Sequence, residues 1–329
     1  MSSAAFFIQT PFEMICAVNA VHNYDISDYK FYLIKDNQGR LIQLTGIADH
    51  YNIDYSIVPF EFVRRGGLKR AVIESLMFRS GNFDMVFTGD YRAALTDIYT
   101  IPFLGRRGRM IKLDDGSCTI NMLTDNNSSL SSSIKCNRWW LWLVSKIKSI
   151  DITYYTVFDN IKNDRYHLEI NDMKFLQSCM NSNGESKEIM FIGTVPESYI
   201  DGLGISIDDY YTFLRKVFML LKEKEIPVKY ILHGRDTNPR TIEMCKEYGF
   251  DCFKPQESIE SYVVRNSYCP EYIYGLSSTA LFSLKKILGQ VKVVNIVPQL
   301  DPIIAKSLYA IGDYYVANGI EMIKLSIND

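Results

Sequence analysis

The sequence predicts an α/β protein of two Rossmann-like domains whose parallel sheets face a central cleft. Three observations carry this. Short apolar runs alternate with stretches of helical spacing in both halves of the chain, the pattern of parallel strands joined by crossover helices. A polar stretch at 181–187 separates the halves and reads as an interdomain linker. Most polar residues with chemistry to offer stand just after a predicted strand, where open α/β sheets bind their ligands. The domains are placed at 1–183 and 184–329, with the last helix as a candidate to pack back on the first domain.

In the first half, residues 4–9 read as a strand ending at Thr10-Pro11, and 12–23 as a helix. Residues 31–35 are a second strand, 41–50 a helix, 53–58 a third strand and 85–88 a buried strand ending at Gly89-Asp90. A helix is expected at 93–99 and a strand at 110–113, running into Asp114-Asp115-Gly116. The serine- and asparagine-rich stretch 124–133 predicts an exposed loop. Residues 137–149 have helical spacing and hold Trp139, Trp140 and Trp142.

In the second half, strands are expected at 189–193, 228–232, 251–253, 272–274 and 291–297. Helices are expected at 208–224, 241–248, 258–266 and 279–288. There are no repeats and no heptads.

Composition narrows the function. The 329 residues suffice for two medium cores. A net charge of -2 gives no bulk attraction to nucleic acid. No apolar run approaches the length of a membrane span. The run at 4–8 is too short for a signal peptide, and no basic residue precedes it. The seven cysteines are scattered without a CxxC pair, which disfavours zinc and predicts reduced thiols in the cytoplasm. No GxGxxG follows a strand and no Walker motif occurs.

The remaining candidates are strand-end groups. A carboxylate of Asp114 or Asp115 can act as a general base, although a bare Asp-Asp-Gly is also an ordinary turn. His233, in Leu232-His233-Gly234-Arg235, can protonate or hydrogen-bond a leaving phosphate, and Arg235 offers a planar donor fork. Gly275-Leu276-Ser277-Ser278-Thr279 joins a strand to a helix. It places hydroxyls and backbone N–H groups at a helix N-terminus, a site for anions as well as an ordinary N-cap. Gly193-Thr194 and Gly89-Asp90 repeat that strand-end pattern more weakly. The tryptophan stretch, flanked by Lys135, Arg138, Lys146 and Lys148, fits either a buried helix or a membrane interface. Arg64-Arg65, Lys69-Arg70 and Arg106-Arg107 with Arg109 form basic patches.

The order of motifs resembles the bacterial sialyltransferases, whose families share a D/E-D/E-G motif, an HP motif and a serine motif. The similarity is strongest to the lipooligosaccharide sialyltransferase family, with the bacterial polysialyltransferases more distant. The matching residues are Asp114-Asp115-Gly116, His233-Gly234-Arg235 and Ser277-Ser278. Gln9-Thr10-Pro11-Phe12-Glu13 is similar to the family's Thr-Pro-Leu-Gln start. Gly234 stands where the family has proline, and Phe12-Glu13 where it has Leu-Gln.

The resemblance implies a GT-B-like fold and an inverting, metal-independent transfer of sialic acid from CMP-sialic acid. The acceptor would be a hydroxyl of a galactose-terminated bacterial surface glycan, free or lipid-linked. The base would be Asp115, within the Asp114-Asp115 pair, or else Asp209, because the family places a catalytic aspartate upstream of the histidine. His233, Ser277 and Ser278 would hold the phosphate. Gly275, Arg235, Gly193, Thr194 and Glu257 would belong to the nucleotide side, and Thr10, Pro11, Gly89 and Asp90 to the acceptor side. No cofactor and no metal is implied. A cytoplasmic location, peripheral contact with the inner face of the membrane and a homodimer are compatible with the family. The competing readings are a GT-B enzyme using CMP-Kdo or a UDP- or GDP-sugar, and an inactive binding protein of the same fold.

Overall fold

The computed structural model describes residues 2–59, 83–89, 99–117, 119–120, 123, 151–161, 167–181 and 185–327. Asp90, the expected helix at 93–98, the loop at 124–133, the tryptophan helix at 137–149, Arg64-Arg65, Lys69-Arg70 and the expected boundary at 183/184 lie outside them. The chain divides into two compact units, Met1–Phe175 and Leu176–Asp329.

The first unit contains β1 (Ser2–Ile8), α1 (Pro11–Asn23), β2 (Ile26–Lys35), α2 (Gln38–His50), β3 (Tyr55–Pro59) and β4 (Phe83–Thr88). A 3-10 turn at Ile101–Phe103 then leads into β5 (Leu104–Leu113), followed by β6 (Asp151–Thr156) and β7 (His167–Ile170). The strands form one parallel sheet in the order β3-β2-β1-β4-β5-β6-β7. Strand β1 lies inside the sheet, between β2 and β4, so residues from Ala4 to Ile8 are all buried and read as a continuous apolar run. Phe6 stacks between Phe31 and Phe87 on the neighbouring strands, with ring centroids 4.4 and 4.3 Å away. Helix α1 starts in a capping box: Thr10 accepts the Glu13 N–H, the Glu13 carboxylate accepts the Thr10 N–H, and Pro11 opens the first turn. Strand β2 begins at Ile26 rather than at the expected residue 31, because its first rungs carry the exposed Ser27, Asp28 and Lys30 and show no apolar run.

The second unit begins in α3 (Lys174–Ser178), which spans the division. It continues with β8 (Glu185–Ile192), α4 (Pro196–Leu203), α5 (Ile207–Lys222), β9 (Val228–Ile231), α6 (Pro239–Tyr248) and β10 (Asp251–Phe253). It ends with α7 (Ile259–Arg265), β11 (Cys269–Gly275), α8 (Thr279–Leu288), β12 (Lys292–Gln299), α9 (Lys306–Ala317) and β13 (Glu321–Ser326). The expected linker at 181–187 is shorter than its polarity suggests. Strand β8 starts at Glu185, and its polar first rungs pair with Cys269 and Pro270. Helix α9 packs on β12 and β13 of its own unit.

These six strands are also parallel, in the order β10-β9-β8-β11-β12-β13. Counted within each unit, both sheets run 3-2-1-4-5-6, the Rossmann order, and the first adds one further strand. Helix α5 presents Tyr210, Phe213, Leu214, Val217, Phe218 and Leu221 to β8 and β9, the spacing of one helical face. Each such side chain contributes about 1.5–3 kcal/mol by leaving water. No helix among the described residues is long and apolar enough to cross a membrane.

Candidate active site at the carboxyl edges of the sheets

In a sheet of this order the connections leave in opposite directions at the switch point, and the carboxyl ends of the strands there are open to ligand. The switch points fall between β1 and β4 in the first unit and between β8 and β11 in the second.

At the first edge, charged groups are buried and held. Glu13 is fully buried, and its carboxylate accepts the N–H groups of Gln9 (2.8 Å) and Thr10 (3.2 Å). Gly89 follows β4 directly against it: a β-carbon there would stand 2.0 Å from Glu13 Cδ, so only glycine fits. Lys112 on β5 is buried as well and donates from Nζ to Thr88 Oγ1 (2.9 Å) and the Gly89 carbonyl (3.1 Å). The sequence reading missed Lys112. Its signal was a lone cation between Ile111 and Leu113, immediately before the aspartate pair.

The structure separates the two aspartates. Asp114 is fully buried and accepts the Val157 N–H at 2.6 Å, which ties the end of β5 to the end of β6. Asp115 is half-buried. Gly116 takes φ +87°, which glycine adopts without strain, and its carbonyl accepts the Thr119 N–H at 3.1 Å. Thr10 and Pro11 are the cap and first residue of α1.

At the second edge the groups are polar and partly open. Ile231, Ile192, Gly275 and Asn295 form one row across β9, β8, β11 and β12. Two positions further along stand His233, Thr194 and Ser277, each half-buried. Each thus follows the end of its strand by two positions in sequence. Gly193 donates to the Ile231 carbonyl (2.9 Å), and a β-carbon there would stand 2.7 Å from Tyr230 Oη. Gly275 lies equally close to β8, with a β-carbon placed 3.0 Å from the Ile192 carbonyl oxygen.

His233 Nδ1 accepts the Arg235 N–H at 3.1 Å, so the neutral ring carries its proton on Nε2. The loop is pinned by the Asp236 N–H to the His233 carbonyl (2.8 Å) and by Lys254 Nζ to the Asp236 carbonyl (2.9 Å). Arg235 itself is exposed. Ser278 caps α8: its hydroxyl accepts the Ala280 N–H and its carbonyl the Leu281 N–H at 3.1 Å, at the carboxyl edge where the helix begins.

Two candidates have firm local roles. Asp209 is the third residue of α5 and completes a capping box with Ser206. The hydrogen bonds from the Ser206 hydroxyl and N–H hold its carboxyl below the usual carboxylate range. Glu257 is buried, with its carboxylate taken by Ser261 Oγ (2.7 Å) and the Arg265 guanidinium (2.5 Å).

No protein-family model matches the chain, and no curated protein matches its sequence. Three solved structures are similar in shape. A protein described as a UDP-N-acetylglucosamine 2-epimerase from Listeria monocytogenes aligns at TM-score 0.55 and 11% identity, over 89% of this chain and 78% of that one. A sucrose-phosphate synthase from Thermosynechococcus elongatus aligns at TM-score 0.45 and 6% identity, over 100% and 87%. A family 9 glycosyl transferase from Veillonella parvula aligns at TM-score 0.34 and 12% identity, over 100% and 88%. The last two are too distant to carry an argument. The first, with the repeated strand order, shows the fold: an α/β chain of two parallel-sheet, Rossmann-like domains of the GT-B class.

Proposed function

We propose that the chain is a nucleotide-sugar-dependent glycosyltransferase, and specifically that it moves sialic acid from CMP-sialic acid to a hydroxyl of a galactose-terminated surface glycan. The observation that carries this reading is that the adjacent strands β9, β8 and β11 reach their last paired rungs at Ile231, Ile192 and Gly275, two positions before His233, Thr194 and Ser277, with α8 starting just after. His233 and Ser277 leave strands about 10 Å apart, a gap that one phosphate bridges once side chains reach inward. A histidine on one side and the Ser278 hydroxyl at the N-terminus of α8 on the other suit a single phosphate, the leaving group of a CMP-sugar.

The chemistry then needs no cation. An acceptor hydroxyl attacks the anomeric carbon from the face opposite CMP, and its proton passes to a carboxylate. The bond from the anomeric carbon to the phosphate oxygen breaks, and the electron pair stays on CMP. His233 and Ser278 stabilise the charge that develops there. Asp115 is the proposed base, on its place in the Asp-Asp-Gly motif, with Asp209 as the alternative; Asp114 accepts the Val157 N–H and Asp209 the Ser206 hydroxyl. Thr10, Pro11 and Gly89 are proposed for the acceptor side. Free CMP released from CMP-sialic acid with a lactose-type acceptor, with EDTA present, is the expected assay result. No release across a broad acceptor panel overturns the assignment.

A UDP-sugar is the second reading, because the first of the similar structures is named for one. Thermal shifts with CMP, UDP and GDP separate the two, since the true ligand raises the melting temperature. Nucleotide binding without turnover would mark a binding protein instead.

A further inference from the structure

Asn295 sits in the middle of β12, in the apolar run Val293-Val294-Asn295-Ile296-Val297, and is fully buried. A buried amide in a core strand is costly unless its hydrogen bonds do something. Its Oδ1 accepts two bonds from one residue: the Ser277 N–H at 2.7 Å and the Ser277 hydroxyl at 3.2 Å. Ser277 is in the left-handed region at φ +52°, where a residue with a β-carbon is rarely stable without local support. The pairing of Gly275 with Asn295 places that support on the adjacent strand.

The hydrogen-bond directions sort the serine pair. An amide oxygen only accepts, so Ser277 Oγ spends its proton on Asn295 and turns only lone pairs outward. Ser278 is the reverse. Its Oγ accepts the Ala280 N–H at 3.3 Å, and none of the hydrogen bonds among the described residues takes its hydroxyl proton. Its carbonyl is fixed from the other side by the hydroxyl of the buried Tyr315, at 3.0 Å.

We infer that Ser278 is the hydroxyl that donates to the phosphate, and that Asn295 is the positioning residue that sets it by locking Ser277 in the left-handed turn. This rests on the phosphate reading of the second edge. Asn295 touches no ligand and acts through Ser277. The device explains why a polar residue interrupts β12, and why two adjacent serines are not equivalent.

The test uses the intact chain, with CMP affinity, turnover and melting temperature measured together. Ser278→Asp keeps a capping side chain on α8 but turns a negative charge toward the anion. It is expected to retain its melting temperature and lose CMP binding by more than about a hundredfold. Asn295→Ala is expected to lower kcat/KM at least about tenfold, the scale of one lost charge-assisted hydrogen bond. Adding Ser277→Gly, which adopts positive φ freely, is expected to recover part of that loss. Asn295→Asp keeps the acceptor and is expected to stay closer to wild type than Asn295→Ala. Equal CMP affinity and turnover in Asn295→Ala and wild type overturn the inference, as does unaltered CMP binding in Ser278→Asp. If Asn295→Ala does not fold, the Ser278→Asp result decides. A wild-type chain that binds no nucleotide is a different outcome: it removes the phosphate reading itself.

Discussion

The two carboxyl edges share a strand order and differ in chemistry. The first buries its charges: Glu13, Lys112 and Asp114 are almost fully withdrawn from water and bonded to backbone or side-chain partners. The second presents uncharged hydroxyls and a histidine, all half-buried: Thr194, His233, Ser277 and Ser278 beside a helix N-terminus. Topology therefore places a site twice, and the residues two or three positions past each strand decide what it does. A buried carboxylate held by an N–H is a structural brace, whereas a half-buried histidine and a capping serine at a strand end suit a transient anion.

Substitutions can break this contrast. The largest effect is expected from His233→Ala, which should lower turnover about a hundred- to ten-thousandfold, the usual worth of a positioned proton donor. Its melting temperature should stay near wild type, because the ring is only half-buried at the end of its strand. Steady-state kinetics with a melt on the same sample checks both. Asp115→Asn should show a loss of similar size. Asp209→Asn should instead keep turnover, with a melting temperature only slightly below wild type. A reversal of that pair would move the base to α5.

Smaller effects sharpen the first edge. Gly89→Ala forces a methyl group into the Glu13 carboxylate and should destabilise the fold by about 1–3 kcal/mol in denaturant melts. The smallest is pH-dependent. Burial pushes the Glu260 carboxyl above its ordinary 4.5, and Ser283 Oγ donates to it at 2.6 Å. Between 4.5 and the raised value the folded state binds the proton more tightly than the unfolded one, so stability falls as pH rises through that window. Glu260→Gln keeps an acceptor for Ser283 without the charge. Its melting temperature should match wild type below pH 4.5 and exceed it progressively above. Melts across that range check the sign.

Much of the fold was legible because interior strands such as β1 and β12 carry buried apolar runs, Ala4 to Ile8 and Val293 to Val297 around Asn295, and helices such as α8 start at recognisable caps. What the sequence hid has physical causes. The first rungs of β2 and β8 are polar because they lie at exposed ends, so they read as loop and linker. The site was legible where a strand ends in an unusual residue, as at His233 and Ser277. It was not legible for Asn295 and Lys112, whose partners lie 18 and 24 residues away in sequence. Nor could the sequence separate Asp114 from Asp115, since burial, not identity, distinguishes them.

The central claim is that the carboxyl edge of the second sheet holds a nucleoside monophosphate. Calorimetric titration of CMP into the intact chain, with EDTA present, tests it most directly. CMP should bind without metal, His233→Ala and Ser278→Asp should each abolish the heat, and Asp115→Asn should weaken it far less. Absence of binding, or binding that survives both second-edge substitutions, would contradict the account.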